Sequence, residues 1–156
     1  MGSAARPALV RSIDGRGSPH RPGPCDRGPD GHGGTTDEEV EVGLRRPKET
    51  GGSAGGTYPE QLFAVGYGAC FESALGAVAR RRKIEVGEPS IDSAVGLLPT
   101  GDGGFRLTVT LDVSLPSVEN REAAAGRVRA AHQVCPYSNA TRGNIDVELL
   151  LAGKAE

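Results

Sequence analysis

Tyr58-Pro-Glu-Gln-Leu-Phe-Ala-Val-Gly-Tyr-Gly-Ala-Cys-Phe71 is the stretch from which the fold is read, because it starts a long apolar helix with one thiol inside it. Thr57-Tyr-Pro-Glu60 reads as a capping box: the threonine oxygen accepts from first-turn amides and Glu60 reaches back. A proline inside that first turn removes only an amide hydrogen that has no helical partner. Beyond it, Leu62, Phe63, Val65, Ala69, Cys70, Ala74, Leu75 and Val78 cover much of the helix circumference. Arg80-Arg-Arg-Lys83 then places cations at the end where the helix dipole favours them. The pattern predicts a central helix of about 25 residues, buried against more than one surface. Gly66, Gly68, Ala69 and Gly76 leave it bare enough in places for another helix or a substrate to approach closely.

Further along, Phe105-Arg-Leu-Thr-Val-Thr-Leu-Asp-Val-Ser-Leu115 alternates apolar side chains at odd positions with polar ones at even positions, the signature of a strand with one buried face. Ile91 to Leu98, joined to it through Pro99-Thr-Gly-Asp-Gly-Gly104, reads as its antiparallel hairpin partner. Glu119 to Val134 is an Ala-rich amphipathic helix stopped by Pro136, and Ile145 to Leu151 is a last strand. Strands grouped with two helices imply an α+β domain.

In the other direction the texture changes. Val40-Glu-Val-Gly-Leu44 alternates like a short strand and Gly51-Gly-Ser-Ala-Gly-Gly56 is a loop, whereas residues 1–34 are rich in Gly, Pro, Arg and Ser with no hydrophobic period. Such a segment buries too little apolar surface to offset its ordering entropy, so 1–34 is expected to be a disordered leader and 35–156 the folded domain. Its composition is also what an out-of-frame reading of GC-rich DNA would give, which makes a non-native leader the companion expectation.

With 156 residues the chain is long enough for one core, and three Phe, three Tyr and no Trp leave that core to Val, Leu, Ile and Ala. A core of such small side chains favours a homodimer, in which a partner surface supplies further burial. A net charge of -2 gives no footprint for nucleic acid, and no long apolar run or leader pointing to membrane or export is evident, so a cytoplasmic protein is expected. Three cysteines are an odd number and do not make a secreted disulfide framework; in a reducing compartment they point to catalysis, redox sensing or metal binding.

Cys70 lies inside the helix, and Cys135 stands before the proline in His132-Gln-Val-Cys-Pro-Tyr-Ser-Asn-Ala-Thr-Arg-Gly-Asn144. A thiol becomes a nucleophile as thiolate, yet an ordinary cysteine is mostly protonated at neutral pH and apolar neighbours protonate it further. The helix dipole fades within one turn, so a cation from elsewhere in the fold is required. Glu60 and Cys70, ten residues apart, would be about 15 Å apart on one straight helix. Their cooperation needs either a helix break at Gly66 or Gly68, or Glu60 serving the thiol of a second subunit. Other readings stay open at this point. Cys70 can be inert core, His132 with Cys135 and Cys70 can bind a metal, and a Cys and His pair can serve a hydrolase. Glu60 can act as a cap alone, Arg142 as a turn residue or a polarising group, and Cys25 as an exposed thiol.

The two blocks, Tyr58 to Phe71 and His132 to Val147, resemble the two signatures of organic hydroperoxide resistance proteins, the Ohr branch of the OsmC-like family. The resemblance covers residues from about 35 to 151, and the run Tyr137 to Asn144 is its most specific part. It implies antiparallel sheets around two helices, an intertwined homodimer and active sites at the subunit interface. It further implies a thiol peroxidase with no bound metal or haem, acting on organic and fatty-acid hydroperoxides. Cys70 would be the peroxidatic and Cys135 the resolving cysteine, Glu60 would orient an activating arginine, and a lipoyl dithiol on a lipoylated protein would reopen the Cys70-Cys135 disulfide.

One departure matters. The family carries its activating arginine in a Gly-Gly-Arg-Asp/Asn-Gly stretch ahead of the Val40 to Leu44 strand, and counting back without gaps puts Pro29 there. Arg27 is two residues away and is the candidate substitute. Without such a cation the chain would be a weak peroxidase, or a non-catalytic thiol sensor or apolar-ligand binder on the same fold.

Overall fold

The computed structural model describes residues 23, 25–26, 30–48, 51–53, 55–152 and 154–155. Arg27, Pro29 and most of the expected leader lie outside the described residues. Where composition leads to one core from residue 35, the chain divides into two compact units, 1–56 and 57–156.

In the first unit β1 (Cys25–Asp26), β2 (His32–Gly34) and β3 (Glu41–Gly43) form an antiparallel sheet with Gly33 opposite Val42. The alternation at Val40 to Leu44 thus becomes β3, and its partner β2 comes from residues the composition assigns to the leader. Arg45 Nη1 donates to the Asp30 carbonyl at 2.9 Å and Arg46 pairs with the Asp30 carboxylate at 3.1 Å, tying the loop before β2 to the chain after β3.

The second unit runs α1 (Pro59–Arg82), β4 (Ser90–Pro99), β5 (Phe105–Ser114), α2 (Arg121–Val134), α3 (Pro136–Thr141), β6 (Asp146–Leu151) and β7 (Lys154–Ala155), with sheet order β4-β5-β6-β7. The predicted hairpin is present in full, Ser90 opposite Ser114 through Pro99 opposite Phe105. The sheet is nevertheless mixed, a correction to the expected antiparallel arrangement: β6 runs parallel to β5, Thr108 opposite Asp146. The connection through α2 and α3 carries the chain back to the end where β5 began, as a crossover between parallel neighbours must.

The α1 helix begins one residue later than its capping signal suggests. The fixed φ of Pro59 suits the first helical position, which makes Tyr58 the cap, and Gln61 Oε1 rather than Glu60 accepts from the Tyr58 amide at 3.2 Å. The helix ends at Lys83, which takes a left-handed conformation (φ 54°) and returns its amide to the Ala79 carbonyl. One side of α1 packs on the sheet, α2 and α3, burying Tyr67, Phe71, Ala74 and Leu75 in one cluster with Val109, Leu111 and Val113 of β5 and Val128 and Ala131 of α2. Full burial of each such Val, Leu or Phe contributes roughly 1.5–3 kcal/mol. The opposite side is open within one chain: Val65 is 74 % exposed. Burial against more than one surface is met within one chain by the sheet and the two later helices, and only the side that carries Val65 stays open. The absence of a long apolar run also needs correction, since α1 is apolar and long enough to cross a membrane by length and composition; here its buried side is core.

Candidate functional site

Cys70 lies a little before the midpoint of α1 on the side that carries Phe63 and Tyr67 two turns and one turn earlier. Cys135 closes α2, giving its amide to the Ala131 carbonyl, and starts α3, with Pro136 as the first residue of that short helix. The extended Cys135 backbone between two helices turns its thiol toward α1. The Cys135 thiol donates to Cys70 Sγ across 3.4 Å. Cys135 is fully buried and Cys70 half-buried, so the pair presents one accessible sulfur and one protected sulfur. Forming a disulfide of about 2.05 Å from this distance needs a side-chain adjustment without a change of fold.

Burial pushes the Cys70 thiol above its ordinary range; a hydrogen bond from the Tyr137 amide opposes this, and the neighbouring Cys135 adds to the rise. Desolvation leads, and the charge effect on Cys70 comes from Cys135 rather than from a cation.

Phe63 and Tyr67, on the turns of α1 before Cys70, form an aromatic group with Tyr137 of α3, with ring centroids 5.7–5.9 Å apart. Gly66 permits the approach of Tyr137, because a Cβ there would lie 3.2 Å from its hydroxyl. Gly68 faces β4 less tightly: a Cβ there would meet Ser93 at 3.6 Å, an ordinary contact. The close approach that the small residues of α1 foreshadow is thus made by Tyr137 of α3 at Gly66. Beneath the aromatic group the fully buried Tyr67 hydroxyl donates to Ser138 Oγ at 3.0 Å and lies 3.2 Å from Thr141 Oγ1.

Glu60 is not brought to Cys70. Both belong to the same unbroken α1, which keeps its helical form through Gly66 and Gly68, so about 15 Å of helix separates them within a chain. Arg142 binds the His132 carbonyl and the Asn139 side chain, both at 2.8 Å, and so ties the end of α2 to α3 as a turn residue. His132 is held below its ordinary pKa by burial and then by the Arg142 charge. Among the described residues no three His, Cys, Asp or Glu side chains gather as a metal site, His132, Cys135 and Cys70 included. On another side of α1, a cavity of about 310 Å³ lies between Val65, Gly68 and Ala69 and the start of β4. Cys25 is exposed in the first unit.

The spacing of the two thiol blocks, the helix that carries Cys70 and the mixed sheet behind it have counterparts in known proteins. Residues 51–150 match the family model described as OsmC-like protein. The chain belongs to the OsmC-like family. An organic hydroperoxide resistance protein of Xanthomonas axonopodis pv. citri is 50 % identical over 129 residues, covering 80 % of this chain and 88 % of that protein. Among solved structures, an organic hydroperoxide resistance protein from Legionella pneumophila superposes with a TM-score of 0.84 at 43 % identity, covering 88 % of this chain and 99 % of that one. Organic hydroperoxide resistance protein OhrB of Bacillus subtilis gives 0.77 at 41 %, covering 85 % and 97 %. Within the OsmC-like family the chain therefore falls in the organic hydroperoxide resistance branch.

The sequence singles out the two cysteines of this OsmC-like protein but misses the buried hydroxyls that join α1 to α3 beside them. Tyr67, Ser138 and Thr141 carry no reactive group; the available signal was a tyrosine amid an apolar helix, whose hydroxyl must find a partner when buried.

Proposed function

We propose that this OsmC-like protein is a thiol peroxidase that reduces organic and fatty-acid hydroperoxides, and that the observation carrying this is the 3.4 Å pairing of a half-buried Cys70 with a fully buried Cys135. The Cys70 thiolate attacks one peroxide oxygen of R-OOH; an S–O bond forms, the O–O bond breaks, and the leaving alkoxide takes a proton to depart as R-OH. The Cys135 sulfur then attacks the sulfenic sulfur of Cys70, forming S–S, breaking S–O and releasing water. A dithiol reopens the disulfide by exchange and is itself oxidised to a disulfide. A lipoyl group on a lipoylated protein is the proposed dithiol, with no metal or prosthetic group taking part. Phe63 and the 39 % exposed Tyr137 offer an apolar wall for the alkyl tail, which hydrogen peroxide lacks. Glu60 orients an activating cation, with Arg27 the candidate, in the site of a second copy, and the working unit is a cytoplasmic homodimer.

A second reading is favoured by one observation, the upward push on Cys70 with no cation among the described residues to counter it: a sensor that forms the disulfide once and does not turn over. Consumption of cumene hydroperoxide with dihydrolipoamide, run beside hydrogen peroxide, separates the two. Repeated turnover selective for the organic peroxide is the expected result. A single oxidation per chain, ending in the disulfide, would replace the enzyme with the sensor.

A further inference from the structure

Cys135, which faces Cys70, is the residue that joins α2 to α3, a six-residue helix that packs on α1, so the hold of α3 on α1 bears on where the Cys135 thiol sits. What holds α3 is buried and polar. The Tyr67 hydroxyl, one turn before Cys70, donates to Ser138 Oγ at 3.0 Å and touches Thr141 Oγ1 at 3.2 Å; Tyr67 and Ser138 are fully buried and Thr141 is 3 % exposed. Thr141 in turn donates within α3 to the Tyr137 carbonyl at 2.9 Å, stiffening the turn that presents the Tyr137 amide. At such a depth the geometry of each hydroxyl is set by the others.

We propose that Tyr67 is a positioning residue for the thiol pair: its hydroxyl, through Ser138 and Thr141, fixes the start of α3 so that Cys135 Sγ faces Cys70. The role rests on the Cys70-Cys135 chemistry proposed above, yet it can be read without a peroxide. In a glutathione redox buffer the two thiols give two electrons and two protons to oxidised glutathione, forming the intramolecular disulfide and two reduced glutathiones. The equilibrium constant for that exchange measures how well the sulfurs are apposed.

Tyr67→Phe keeps the ring and removes the hydroxyl. Its equilibrium constant is expected to fall about five- to tenfold, the effect of roughly one net hydrogen bond. The pH midpoint for alkylation of Cys70 is expected to rise as the Tyr137 amide loosens. Ser138→Ala removes the acceptor from the other side and should produce the same two changes, and the double variant should be no worse than either single one. Should Tyr67→Phe fail to fold, as reported by its melting curve, Ser138→Ala carries the test. A folded variant with an unchanged glutathione equilibrium and an unchanged alkylation profile overturns the assignment. Loss of the peroxidase reading alone, with no hydroperoxide turnover in the natural protein, would leave both readouts, and the role they test for Tyr67, intact.

Discussion

At the scale of single residues, function depends on how a thiol in an apolar helix becomes reactive. Cys70→Ser is expected to abolish hydroperoxide consumption, while Cys135→Ser should consume one equivalent and stop at a Cys70 sulfenic acid that a dimedone label captures. Steady turnover in either variant would remove the corresponding role. The pH dependence follows from the direction of the Cys70 shift. Burial raises its pKa, so the thiolate fraction keeps growing with pH beyond the usual cysteine range, and the single-turnover rate with cumene hydroperoxide should still be climbing above pH about 8.5. A rate already level at neutral pH would mean that a cation lowers this thiol in the working assembly. Both cysteines are legible in the sequence because each sits in a motif dense with aromatic, small and turn residues. The Tyr67, Ser138 and Thr141 hydroxyls are not, since their partnership spans more than seventy positions and follows no local pattern.

At the scale of elements, hydrophobic period locates the structure and local chemistry sets its ends. The β5 alternation identifies the buried face at Val109, Leu111 and Val113, continued by Leu115 just past the strand, but Phe105 at the hairpin end of the same face is 70 % exposed. Alternation says nothing about direction, however, and so the parallel pairing of β6 on β5 is invisible in a pattern that reads the same forwards and backwards. The start of α1 shifts by one residue because two overlapping boxes were available, and the proline decides in favour of Tyr58 with Gln61. The α2 helix begins at Arg121 after Asn120, whose side chain accepts from the Ala123 amide at 2.9 Å. Asn120→Ala should therefore destabilise the protein by about 1 kcal/mol in denaturant titration, and Asn120→Asp should retain most of the natural stability. Equal stability of the alanine variant would show that contacts elsewhere, such as Arg121 with the Leu151 carbonyl, hold this end of α2 without the cap.

At the scale of the whole molecule the open side of α1 and the position of Glu60 point the same way. A helix that is apolar almost all round has one side packed and the other open, with Val65 74 % exposed, which is the side the proposed homodimer would cover. Glu60 is out of reach of Cys70 along its own unbroken helix, so if it assists the thiol it must do so across a two-fold interface, each chain serving the site of the other. Complementation between inactive chains decides this. Glu60→Gln and Cys70→Ser homodimers are each expected to be nearly inactive. After unfolding and refolding together in equal amounts, half the dimers carry one chain of each kind. Service in trans gives each mixed dimer one site with an intact Cys70 and an intact Glu60, so about a quarter of the natural activity should return. Service in cis leaves every site lacking one group, and no activity returns. A monomer in sedimentation at micromolar concentration would remove the interface itself, and with it any part for Glu60 at the Cys70 thiol.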